Sequence, residues 1–193
     1  MQSNIPKILH MKAEVLEHFW KCFVIQIPFL ICAFWVIPKQ WKKISSSFRK
    51  KNNKKIWTWL VMYFVFDLII LLSVKPQLNT NFTNSFNYSP VLFFIFACLI
   101  APIAEECFFR YLIFENFNKN KWTPYIFSFF GFILMHSGYF SFSWEGFKNL
   151  FTGYWFISWL FIYVYRKSNW NLTFPIVFHF INNFVFFLYL LTY

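Results

Sequence analysis

Residues 90–114 read Pro90-Val-Leu-Phe-Phe-Ile-Phe-Ala-Cys-Leu-Ile-Ala-Pro-Ile-Ala-Glu105-Glu106-Cys-Phe-Phe-Arg110-Tyr-Leu-Ile-Phe114. Three charged residues interrupt a run that is otherwise long and apolar enough to cross about 30 Å of hydrocarbon, which takes about 20 residues. A charge at membrane depth costs about 2.5–3.5 kcal/mol on insertion scales, so each one present needs a reason.

The run is one of six. The others extend from about Phe19 to Ile37, Ile56 to Val74, Trp122 to Phe140, Phe147 to Tyr165 and Leu172 to Leu191. Trp20, Trp41, Trp57, Trp122, Tyr139, Tyr165, Trp170 and Tyr193 lie near their ends, as interfacial anchors do. The chain has 193 residues, 59% hydrophobic and 13% charged, with 32 Phe, 10 Trp and 10 Tyr. A soluble domain averages about 45–50% apolar and about 25% charged, and six apolar runs leave no polar elements to shield them from water. The expected fold is all-α, an integral membrane bundle of about six transmembrane helices with an intramembrane polar site. A polar, amphipathic segment 1–18 precedes a single transmembrane domain, 19–193, and no signal-peptide pattern precedes the first span.

The net charge of +11 is concentrated rather than spread. Lys39, Lys42, Lys43, Arg49, Lys50, Lys51, Lys54 and Lys55 fall between the first two runs. Such a cluster marks the cytoplasmic side of a multi-pass cell-membrane protein and attracts anionic lipids; a nucleic-acid partner is not expected. With loop 39–55 cytoplasmic, the turns at Lys119–Lys121 and Arg166–Lys167 share its side. The loop Lys75–Ser89 and the turn near Glu145 then face outward, with both termini. Cys22, Cys32, Cys98 and Cys107 lie in apolar runs without metal-site spacing and read as free buried thiols. The acceptor patterns at Asn81 and Asn87 read as chance matches in an Asn-rich chain. Asp67 fits a hydrogen bond to a neighbouring helix or a place on a substrate path.

Spacing sorts the charged residues of the third run. Glu106 and Arg110 are four apart, share a helix face and can pair. Glu105 is turned about 100° away and does not share that partner, which leaves it for acid–base chemistry. His136 follows Phe132 by one turn in the fourth run; His179 and Asn183 are one turn apart in the sixth. Taken singly, each has an ordinary structural reading as a bond between helices. Taken together, a free Glu, two His and an Asn on three spans supply a base, a partner to orient water and donors for an oxyanion.

These residues carry a resemblance. Glu105-Glu106-x-x-x-Arg110, Phe132-x-x-x-His136 and His179-x-x-x-Asn183, in that order, are similar to the motif set of the CPBP family. That family holds the type II CAAX prenyl endopeptidases and the bacterial bacteriocin-processing or immunity (Abi) proteins. The likeness covers about residues 90–193, including the Ala-Pro-Ile-Ala lead-in and Asn169-Trp170-Asn171-Leu172. Tyr111 departs from it, standing where the family usually has a small residue. The resemblance implies an intramembrane glutamate endopeptidase in which Glu105 and His136 activate water and His179 and Asn183 stabilise the oxyanion. Glu106 and Arg110 would support them. Asn183 is preferred to Asn182 because it alone has the one-turn spacing from His179. The resemblance favours catalysis without a metal; a zinc site built from Glu105, His136 and His179 is the alternative.

A peptide or lipidated protein is the expected substrate. The Lys-, Asn-, Phe- and Ile-rich composition is like that of AT-rich bacterial genomes and points toward a bacteriocin leader or a signalling-peptide precursor. The rivals are a non-catalytic immunity or scaffold protein and a small transporter, the latter opposed by the absence of an inverted repeat. Depth is a difficulty: with the span ends given above, Glu105 and His136 miss each other by more than about 10 Å at 1.5 Å per residue. They meet if the third helix runs on to about Phe117.

Overall fold

A computed structural model describes residues 5–47, 54–74, 86–87, 89–117, 119–137 and 154–192. Six helices form the fold among the described residues: α1 (Ile5–Ser47), α2 (Lys54–Val74), α3 (Pro90–Asn116), α4 (Thr123–Ser137), α5 (Trp155–Lys167) and α6 (Thr173–Thr192). Two of them, α3 and α6, are long and apolar enough to cross a membrane. Each helix overlies one of the six apolar runs. α1 also takes in the polar N-terminal segment from Ile5 onward without a break and continues through Pro28 and Pro38. The loop at 75–85 with Asn81, the far ends of the fourth and fifth runs and the turn near Glu145 lie outside the described residues. So do the side chains of Cys22 and Asp67. Cys32, Cys98 and Cys107 are free and buried.

Local sequence sets the helix ends. α3 starts at Ser89, whose hydroxyl accepts the Leu92 N–H at 3.3 Å, with Pro90 in the first turn where its missing N–H costs nothing. α6 starts where Asn171 Oδ1 accepts the Thr173 N–H at 3.0 Å. The turn before it places Asn169 and Trp170 in the left-handed region, with φ of 61° and 58°. Asn tolerates this conformation; Trp170 is held there by rings of Phe114 and Tyr165, each 5.4 Å from its own.

α3 lies at the centre, against α1, α4 and α6, while α6 also packs on α2 and α5. Polarity is inverted relative to a water-soluble bundle. Glu105, Glu106, Arg110, Ser128, Ser158 and His179 are buried, and Phe34, Ile31, Val91 and Leu134 are among the most exposed side chains. An apolar exterior around a polar interior is the arrangement that a hydrocarbon solvent favours.

Candidate active site

The polar interior is built on the middle of α3, where the backbone is not uniformly α-helical. Residues Phe94–Ile100 and Cys107–Leu112 take the wider π-helical turn, on either side of the α-helical Ala101–Glu106. Such widened turns are rare and are frequently found at functional sites. Pro102 leaves its mark on the first of them. The Ala101 N–H bonds Phe96 O, five residues back, and continuing that register would bring Ala97 O to a proline nitrogen that carries no hydrogen. Asn183 of α6 supplies the missing donor, its Nδ2 lying 2.7 Å from Ala97 O.

The two glutamates then part company. Glu106 and Arg110, both fully buried, form the ion pair that their four-residue spacing permits, with Arg110 Nε 3.0 Å from Glu106 Oε2. That contact is coulombic rather than a directed hydrogen bond, because neither atom meets hydrogen-bond geometry. Arg110 Nη1 reaches α4, donating to Ser128 Oγ at 2.6 Å, and the guanidinium carbon sits 5.1 Å from the Phe132 ring centre. The other oxygen of Glu106 lies 3.0 Å from His179 Nδ1. Glu106 thus ties α3 to α6, and Arg110 ties α3 to α4.

Glu105 faces the histidines. Its Oε2 is 3.7 Å from His136 Nε2 and 3.9 Å from His179 Nε2, and it is buried with no hydrogen-bond partner. Its Oε1 accepts from Gln26 Nε2 of α1 at 2.9 Å. The ring tautomers follow from the partners on the far side. His136 Nδ1 lies 2.8 Å from Phe132 O, which can only accept, so Nδ1 carries the hydrogen of the neutral ring and Nε2 presents its lone pair. His179, with Nδ1 on a carboxylate oxygen, presents Nε2 in the same way. Aromatic rings hold both: Phe132 and Tyr154 lie 4.4 and 4.6 Å from His136, and Phe161 is stacked 4.9 Å from His179.

Glu105, His136 and His179 are therefore brought together, and Glu106 and Arg110 adjoin them. The helix lengths explain why the depth difficulty disappears. α3 runs on to Asn116, so Glu105 stands about 17 Å from the α3–α4 connection and His136 about 20 Å from it, at 1.5 Å per residue. Asn183 is bound to Ala97 O and accepts at Oδ1 from Asn182 at 3.2 Å; Asn182 in turn accepts from the Tyr63 hydroxyl at 2.9 Å. Sequence reasoning missed Gln26 and Ser128. Both were visible as amide and hydroxyl side chains inside apolar runs, where a polar group needs a partner. Among the described residues, no three His, Cys, Asp or Glu side chains are grouped closely enough to hold a metal ion.

Residues 87–185, just over half of the chain, match the family model described as Type II CAAX prenyl endopeptidase Rce1-like. The matched segment contains every motif residue from Glu105 to Asn183 and excludes Gln26 and Tyr63. The chain belongs to this family, and at family level it is a membrane protein of the CAAX endopeptidase kind. Comparison with curated proteins found no match, and neither did comparison with solved structures.

Proposed function

We propose that the protein is an intramembrane endopeptidase that hydrolyses a peptide bond in a membrane-associated or lipidated peptide, using water activated by Glu105 and His136. In this reading the six helices all span the cell membrane as one bundle, with the basic stretch 39–55 on the cytoplasmic side. The observation that carries it is the buried Glu105 Oε2, without a hydrogen-bond partner and within 4 Å of two imidazole nitrogens. Separations of 3.7 and 3.9 Å exceed direct hydrogen bonding, and a water between the groups would complete them.

The steps follow from those groups. Glu105 takes one proton from the water as the water oxygen attacks the scissile carbonyl, and His136 Nε2 accepts a hydrogen bond from the hydrogen that stays on that oxygen, orienting the nucleophile. The carbonyl oxygen becomes an oxyanion, met by His179 and by the amide hydrogen of Asn183 not used on Ala97. With its Nδ1–H directed at Glu106, His179 meets the oxyanion through Nε2 as an imidazolium, whose second proton is bound before the cycle and retained through it. Collapse of the intermediate breaks the C–N bond, and the proton held by Glu105 leaves on the amine. Burial withholds bulk water from these steps and strengthens each contact. Glu106 and Arg110 hold His179 and the α3–α4 contact in place.

The carboxylate reading follows the family resemblance, which favours catalysis without a metal; a zinc ion held by Glu105, His136 and His179 is the alternative that the test separates from it. The test uses purified protein in lipid nanodiscs and a panel of quenched fluorogenic peptides. The panel includes bacteriocin-leader-like sequences and one peptide ending in a farnesylated Cys-aliphatic-aliphatic-X sequence. Cleavage that is lost in Glu105→Ala and survives a chelator supports the proposal. Loss on chelation, restored by zinc, transfers the chemistry to the metal; cleavage unchanged in Glu105→Ala overturns the mechanism.

A further inference from the structure

Gln26 lies on α1, outside the segment that the family model matches, and 79 residues before the glutamate it touches. Its Nε2 is 2.9 Å from Glu105 Oε1, and its own Oε1 is buried without a hydrogen-bond partner. Chemistry fixes which end of the amide faces the glutamate, because a carboxylate oxygen only accepts and an amide oxygen against it would repel.

We infer that Gln26 is a positioning residue for Glu105, a reading that rests on the proposed function. The terminal torsion of a glutamate is broad and roughly two-fold, so side-chain rotamers alone leave the plane of the carboxylate undetermined. The hydrogen bond from Gln26 engages Oε1 and leaves Oε2 to the two imidazoles. α1 thereby contributes to the site a contact that α3, α4 and α6 do not provide.

The test compares wild type, Gln26→Met, Gln26→His and Glu105→Gln in nanodiscs, with the farnesylated quenched peptide as substrate. Gln26→Met preserves length and apolar bulk but removes the donor; Gln26→His restores an N–H at similar reach. We expect kcat to fall on the order of 10- to 100-fold in Gln26→Met. KM should stay within about twofold, the unfolding temperature should not change, and Gln26→His should recover part of the loss. The carboxylate infrared band, assigned to Glu105 by subtracting the Glu105→Gln spectrum, should shift in Gln26→Met, and this readout does not depend on turnover. Wild-type kcat and an unmoved band in Gln26→Met would overturn the inference and leave a helix-packing role. Full turnover in Glu105→Gln would instead mark failure of the proposed function.

Discussion

His179 and Glu106, 73 residues apart in the chain, meet with Nδ1 3.0 Å from Oε1 inside the bundle. With Arg110 Nε 3.0 Å from its other oxygen, Glu106 is shared by two nitrogen-bearing side chains. This contact turns the second glutamate of the pair inward as a support and directs the His179 Nε2 toward the first. The variants below separate supporting roles from chemical ones.

Arg110→Met leaves the Glu106 carboxylate buried without its cation. Breaking one side of a buried pair costs about 3–5 kcal/mol, more than the new apolar contacts return. Thermal unfolding in detergent should show a large loss of stability in this variant. A midpoint within a degree or two of wild type would show that neither the ion pair nor the Arg110–Ser128 bond holds this region.

Glu105→Gln keeps the volume and the neighbours of Glu105 while removing the base. Peptide turnover should drop by roughly 10²–10⁴-fold, the range of a positioned acid–base group, with an unchanged unfolding midpoint. A parallel fall in stability would assign Glu105 a structural role instead.

Asn183→Leu withdraws the donor that serves Ala97 O and should cost about 1–3 kcal/mol, the penalty of a buried unsatisfied carbonyl. Pro102→Ala restores a backbone N–H to α3, so the same substitution should cost less in that background. A double-mutant cycle on unfolding free energies measures the difference. Strict additivity would show that Asn183 and Pro102 act independently.

Gly131 faces Phe109 across the α3–α4 contact. A Cβ added at Gly131 would stand 3.0 Å from Phe109 Cε1, in a ring already packed edge-on against Phe132 at 5.6 Å. Gly131→Leu should destabilise the protein by about 1–3 kcal/mol, as overpacking does, and should also lower turnover because Phe132 bounds His136. Unaltered stability would mean that the ring moves aside freely.

Much of the architecture was legible along the chain, because apolar runs and four-residue spacings are local properties. Each of the six described helices overlies one of the six runs, and the Glu106–Arg110 contact needs only one helix to form. The wide turns of α3 were not legible. A π-helical register is close in energy to an α-helical one, and here a donor from α6 serves the carbonyl that Pro102 leaves open. Gln26 escaped attention for a related reason: an amide in an apolar run announces that it needs a partner, but not which partner.

Composition and periodicity were enough to establish that the chain is helical and suited to hydrocarbon, and that the charged residues of its third run must be buried. Solvation energy depends on composition and periodicity, which neighbours far along the chain do not alter. Only the tertiary structure decided that His179 rests on Glu106 rather than Glu105, that Asn183 spends an amide hydrogen on Ala97, and that α1 reaches the site through Gln26. Those choices depend on how deep each helix sits and how it is rotated against its neighbours. Depth and rotation are set by the packing of whole helix faces, a property that no single segment carries.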